Sequence, residues 1–133
     1  MQTNVRAEFN LFSDYLDIPQ ITKLMGISPT ITYMKDEPIK NRKSLKRKDS
    51  LWAIWTEYEE TGDVNTALDK IIHLLQNKVS VLVKIKEMYN ADISFVFAVN
   101  IVDGDSPAMS LSSETVRFIA TLGARVDFCV YVY

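Results

Sequence analysis

The chain has 133 residues, 47% of them hydrophobic and 24% charged, with a formal net charge of −2 and a pI near 5.4. These are ordinary values for a folded domain, and one of this length buries roughly two-thirds of the surface its unfolded chain exposes. The single cysteine excludes an internal disulfide and a cysteine-built zinc site, and no apolar run approaches the ~20 residues that a membrane span needs.

Asn4–Phe12 alternates, with Val5, Ala7, Phe9 and Leu11 on one side and Arg6, Glu8 and Asn10 on the other. That period of two predicts a half-buried strand. It also leaves no continuous apolar segment of the kind a secretion signal carries, so a cytoplasmic, bacterial-type setting is expected. Asp17 is placed to cap a short helix with Pro19 in its first turn, Ile18, Ile21, Leu24 and Met25 as its apolar stripe, and Gly26 as its left-handed stop.

Thr30–Met34 reads as extended. Leu51–Glu59 reads as a strand with Trp52, Ile54 and Tyr58 on one face and Trp55, Glu57 and Glu59 on the other. The two are expected to pair antiparallel across the segment between them, a mobile basic loop over about residues 35–49. Connections of that length are either functional or mobile.

From Val64 to Tyr89, apolar residues three and four apart predict helix, capped by Gly62-Asp63 and broken near Asn77–Ser80 into two helices or one kinked one. Ile93–Val102 is a strongly apolar strand and Asp103–Pro107 a turn. Ser112 caps a last helix with Glu114 in its first turn, Leu111 and Val116 as a hydrophobic staple, and Gly123 at its end. Arg125–Tyr133 closes as a strand with Val126, Phe128, Val130 and Val132 inward and Asp127, Cys129, Tyr131 and Tyr133 outward.

This order predicts a single α+β domain over residues 1–133: a mostly antiparallel sheet of about five strands with helices packed on one face. The first and last strands, both apolar on one side, are expected at or near the sheet centre.

The alternating N-terminal strand carries part of a family resemblance. So do LDIPQITKLMGISPT (Leu16–Thr30), the charged segment after MKDEP, Trp52 with Thr56, the helical pair, and SLSSETVRFIATLGARVDFCVYVY (Ser110–Tyr133). Together they resemble DUF4279, a family of bacterial proteins known only as a domain of unknown function, over roughly Val5 to Val132. The resemblance implies no catalytic residues. It differs at Asp36, where a glycine is expected after the basic residue, and small acidic proteins of this general kind are associated with immunity to secreted toxins.

No catalytic set is visible. His73, the only histidine, sits on the polar side of its helix, and Cys129 has no motif around it and reads as a small filler. Asp103-Gly-Asp105 lacks the further oxygens of a calcium loop. No phosphate loop or dinucleotide fingerprint is present, so no metal, no cofactor and no enzymatic activity are expected, and an enzyme built on dispersed carboxylates stays open as the reading ranked last.

Two surfaces remain. Lys35–Lys48 holds seven basic and two acidic residues, about +5 against −7 for the rest of the chain. Lys40, Arg42, Lys43, Lys46, Arg47 and Lys48 are the candidate contacts to nucleic acid or another polyanion. The outer sheet face offers Trp55, Tyr131 and Tyr133 as aromatic anchors beside Glu8 and Asp127, with Glu57, Glu59 and Glu60 as an acidic patch that could steer a basic partner. The first expectation is therefore a non-enzymatic protein-binding module, such as an immunity or inhibitor protein masking a basic toxin. The alternative is a regulator binding a polyanion through residues 40–48. Monomer and homodimer both stay open, the latter through an uncovered sheet edge.

Overall fold

The computed structural model describes residues 1–133. β1 (Asn4–Ser13) is followed by α1 (Ile18–Met25) and β2 (Ile31–Tyr33), then by a small hairpin of β3 (Pro38–Ile39) and β4 (Arg42–Lys46). Next come β5 (Ser50–Trp55), β6 (Glu59–Glu60), α2 (Val64–Leu75), α3 (Val79–Tyr89), β7 (Asp92–Ile101), α4 (Ser113–Thr121) and β8 (Arg125–Val132). The fold is α+β, as the alternation of strand and helix periods implies.

The main sheet runs β2-β5-β1-β7-β8, with β6 pairing the start of β1. All its pairs are antiparallel except β7–β8, which is parallel. A parallel neighbour needs a crossover, and α4 supplies it. β1 is central, as expected. β8 is an edge strand, not a central one: the crossover sets it outside β7, and its apolar face extends beyond the helical layer.

The inward residues of β1, Val5, Ala7, Phe9 and Leu11, meet Ile93, Phe95, Phe97 and Val99 of β7 and Trp52 and Ile54 of β5. Leu68, Ile71 and Leu75 of α2 and Leu82 and Ile85 of α3 close over them. Each such side chain removed from water contributes about 1.5–3 kcal/mol. Phe9 stands edge-on to both Trp52 and Phe95, at 6.3 and 5.5 Å between ring centroids.

The helix ends are built as their residues dictate. Asp17 accepts from the Gln20 N–H, Asp63 from the Asn65 N–H and Ser112 from the Thr115 N–H, each satisfying an orphan donor of a first turn. Gly26 and Gly123 take φ of 65° and 61° at the stops. Val116, the expected staple partner of Leu111, is left exposed.

The Trp52–Thr56 spacing proves to be structural. Trp52 Nε1 donates to Thr22 Oγ1 of α1 at 3.0 Å, while the Thr56 hydroxyl accepts from the Ala7 N–H where β5 leaves the sheet. That departure overturns one facing. β5 ends at Trp55, the period of two is lost, and Tyr58 joins Trp55 on the outer side, away from Trp52 and Ile54.

Candidate functional site

Opposite the helices the sheet presents a face that no helix covers. Its centre is a chain of contacts among alternate residues of β1. Arg6 reaches Glu8 Oε2 through Nη2 at 2.6 Å and Nε at 3.2 Å, and Asn10 Nδ2 donates to Glu8 Oε1 at 3.2 Å. Trp55 Nε1, on the strand beside, donates to Asn10 Oδ1 at 2.8 Å. The Arg6 guanidinium lies 4.4 Å from the Trp55 ring and 4.7 Å from the Tyr58 ring. Glu8 is thus a carboxylate only 8% exposed, fully partnered, on the open side of the sheet. Burying a charge is tolerated when it is paired and hydrogen-bonded in this way.

β8 repeats the arrangement with Arg125 and Asp127, joined at 3.0 Å, with the Arg125 guanidinium 5.5 Å from the Phe12 ring. The register places Glu8, Val96 and Asp127 side by side on three neighbouring strands. The two carboxylate-bearing residues are therefore about 9.6 Å apart at the backbone, two strand spacings. Between and around them is a cleft of ≈ 340 Å³ bordered by Glu8, Asn10, Tyr33, Asp49, Trp55 and Asp127, with Ser94 and Val96 from β7. Three carboxylates and one guanidinium, that of Arg125, line it.

A larger hollow of ≈ 510 Å³ lies between the ends of α3 and α4, but the ammonium at its side is already committed. Lys86 Nζ donates to the carbonyls of Leu122 and Gly123 at 3.2 and 3.1 Å. That contact closes the last turn of α4.

Among the residues singled out from sequence, Trp55 borders the cleft. Tyr131 is exposed on the outer face further along β8, in register with Asn100, and Tyr133 is exposed beyond it. The acidic run does not converge. Glu59 lies opposite inward-facing Val5 and is ion-paired with Lys70 of α2, Glu60 lies opposite Asn4, and Glu57 is exposed between strands. The acids that do converge are Glu8, Asp49 and Asp127. Glu8 and Asp127 were legible as polar members of alternating strands, whereas Asp49 follows the basic run with no pattern to mark it.

The basic segment, expected as a loop, contains a small hairpin of β3 and β4. Asn41 turns it at φ 69°, and Asp36, standing where a glycine is expected, takes φ 72°. Asp tolerates the left-handed region better than most residues, so the turn survives without glycine. Asp36 N–H donates to the Arg47 carbonyl, and Arg47 N–H to the Glu37 carbonyl, both at 2.9 Å. Lys40, Arg42, Lys43, Lys46, Arg47 and Lys48 make no ion pair with any carboxylate. The Arg47 guanidinium lies 4.2 Å from the Tyr33 ring, at the border of the cleft.

His73 is exposed on α2, and Cys129 is exposed on β8, where a filler role was expected. No group of three histidine, cysteine or acidic side chains is arranged to hold a metal ion. No helix is long and apolar enough to cross a membrane.

Residues 2–133 match the family described as "Domain of unknown function (DUF4279)". No curated protein and no solved structure matches the chain.

Proposed function

The chain belongs to the DUF4279 family, which carries no assigned activity, and from that premise we propose a non-enzymatic protein-binding module that works through the outer sheet face. The observation that carries this reading is the cleft itself: a fixed floor of Glu8, Asn10 and Trp55, bordered by the carboxylates of Asp49 and Asp127 and the guanidinium of Arg125. A lysine or arginine of a basic protein suits it, with Trp55 and Tyr33 packing against the aliphatic stem. The most concrete form of the proposal is an inhibitor or immunity protein that masks a basic partner such as a toxin. Occlusion would be steric, and the acidic rim would speed encounter.

The test is capture of partners from host extract at moderate salt by the parent protein, compared with Asp49→Lys/Asp127→Lys and with Val96→Trp, which fills the cleft. A partner retained by the parent and lost from both variants supports the reading. Charge reversal is expected to slow association about tenfold or more at low salt. A partner that both variants bind as the parent does would place the site elsewhere.

A second reading has its own observation, the six cations of the hairpin that no carboxylate neutralises. They could grip a polyanion, with Tyr33 and Arg47 as a stacked platform. Binding to DNA or RNA that weakens steeply with salt, and disappears when Lys43, Lys46 and Arg47 are neutralised, would move the function there. Flat binding at low salt would remove it.

A further inference from the structure

The two edges of the main sheet are treated differently. At one end β2 is three residues long, lies between Pro29 and Lys35, and is followed by the charged hairpin. Short strands, proline and lysine are the usual guards against edge-to-edge pairing. At the other end β8 is eight residues long, contains no proline and no lysine, and has no neighbour beyond β7.

The helix-side residues of this strand are apolar and bare: Phe128 is 42% exposed, Val130 43% and Val132 73%. Phe128 stacks on buried Phe97 at 5.0 Å, so the patch continues the core outward. α4 adds to it. Glu114, Thr115 and Phe118 face α2 across a shared hollow, and α2 lies over β1. Val116, 49% exposed, is on the opposite flank of α4.

The hydrogen-bonding parity of β8 is also fixed. Tyr133 N–H donates to the Ile101 carbonyl of β7 at 2.8 Å. Successive residues of an extended strand turn their N–H and C=O to alternate sides, so odd-numbered residues serve β7. The backbone groups of Val126, Phe128, Val130 and Val132 therefore point to the open edge.

We propose that β8 pairs antiparallel with β8 of a second copy of this chain, about a two-fold axis at Cys129, joining the two sheets into one. The register follows from the parity. Pairing even residue with even residue over the full strand sets Val126 opposite Val132 and Phe128 opposite Val130 as hydrogen-bonded pairs. Arg125 then meets Tyr133, Asp127 meets Tyr131, and Cys129 meets its own copy as non-hydrogen-bonded pairs.

In this register every apolar side chain faces an apolar one, and no charge faces a like charge. The strand holds one positive and one negative residue, so an isologous pairing brings no net charge to the seam. Only one of the two edges is open, which favours a closed dimer over a growing array.

The surface is in keeping with this. It measures 7873 Å², against roughly 7,100 Å² expected for a monomer of this mass. The two-fold axis is perpendicular to the sheet, so both outer faces lie on the same side of the dimer. The proposal does not depend on the binding reading above and is tested without any partner.

The experiment is sedimentation of the 133-residue chain over a wide concentration range, beside Val130→Lys and Val130→Pro. Both substitutions fall on an exposed residue whose N–H does not serve β7. The proline variant keeps an apolar side chain and removes one edge donor, so it remains informative if the lysine variant fails to fold. The expected result is a dimer whose dissociation constant rises about tenfold or more in each folded variant, with unchanged circular dichroism.

Cys129 reads the register directly. A non-hydrogen-bonded antiparallel pair sets its Cα atoms about 4.5 Å apart, within disulfide range. Diamide should then link two chains, the two thiols giving up two protons and two electrons to it, and Cys129→Ser should abolish the link while leaving the dimer. A monomer at all concentrations, a dimer indifferent to both Val130 variants, or a β8-dependent dimer that diamide cannot link would each overturn the proposal.

Discussion

The two faces of the sheet hide their residues by different means. On the helix side Phe9, Phe95, Phe97 and Trp52 belong to a cluster to which all four helices add apolar side chains, and almost nothing polar is enclosed. On the open side Glu8, Ser94, Ala53 and Ala98 are buried as well, although no helix covers them. They are shielded by neighbours on the sheet itself: Arg6 folds across Glu8 under the Trp55 and Tyr58 rings, and small residues lie between taller ones. The first face is held by area, which tolerates no polar atom without a partner. The second is held by a hydrogen-bonded network in which each member supports the next. Stability belongs to the first face, and a surface with fixed shape and charge to the second.

Truncation separates them most sharply. Phe97→Ala removes a fully buried ring that contacts Phe128 and should cost about 3–5 kcal/mol in chemical denaturation. On the open face, Arg6→Ala leaves Glu8 with only the Asn10 amide, and a loss of about 1–3 kcal/mol is expected. The loss should shrink when Glu8→Gln is added, because the stranded charge is gone. A double variant as unstable as the sum of the singles would show that Arg6 acts by covering Trp55, not by neutralising Glu8. Trp55→Phe should be milder, about 1 kcal/mol, since the ring stays and only the bond to Asn10 is lost.

The difference between the faces also governs what could be read from the sequence. The covered face was legible because burial there follows a strict period: Val5 to Leu11, Ile93 to Val99, and the α2 and α3 stripes lie where alternation and helical spacing put them. Caps and stops at Asp17, Gly26, Asp63, Ser112 and Gly123 were legible for the same local reason. The open face was legible only as a list of polar residues. Which of them meet depends on strand order, and β8 enters that order by a crossover that no local signal announces. Glu8 and Asp127 therefore become neighbours across Val96, while Glu59, expected beside Glu57, turns inward to Lys70 because β6 pairs with β1. The hairpin was missed because Asp36 and Asn41 supply its left-handed turns without glycine.

The smallest expected effect concerns the polar seam of the helical layer, and it tests whether that layer needs hydrogen bonds as the open face does. Tyr89 at the end of α3 donates its hydroxyl proton to Gln20 of α1, with the Tyr15 ring 6.2 Å away. Burial, then the carboxylate of Asp17 and the hydroxyl of Tyr15, raise its pKa above the ordinary value of 10.0. The unfolded chain therefore ionises this phenol first as pH rises. The contribution of Tyr89 is whole below about pH 10 and is lost as pH climbs through the folded-state value. Tyr89→Phe should leave stability at neutral pH nearly unchanged and flatten part of the alkaline decline, measured by thermal unfolding across that range. A large loss at neutral pH would instead show that α1 and α3 are held by this one bond, and that the covered face is less purely apolar in its support than its core suggests.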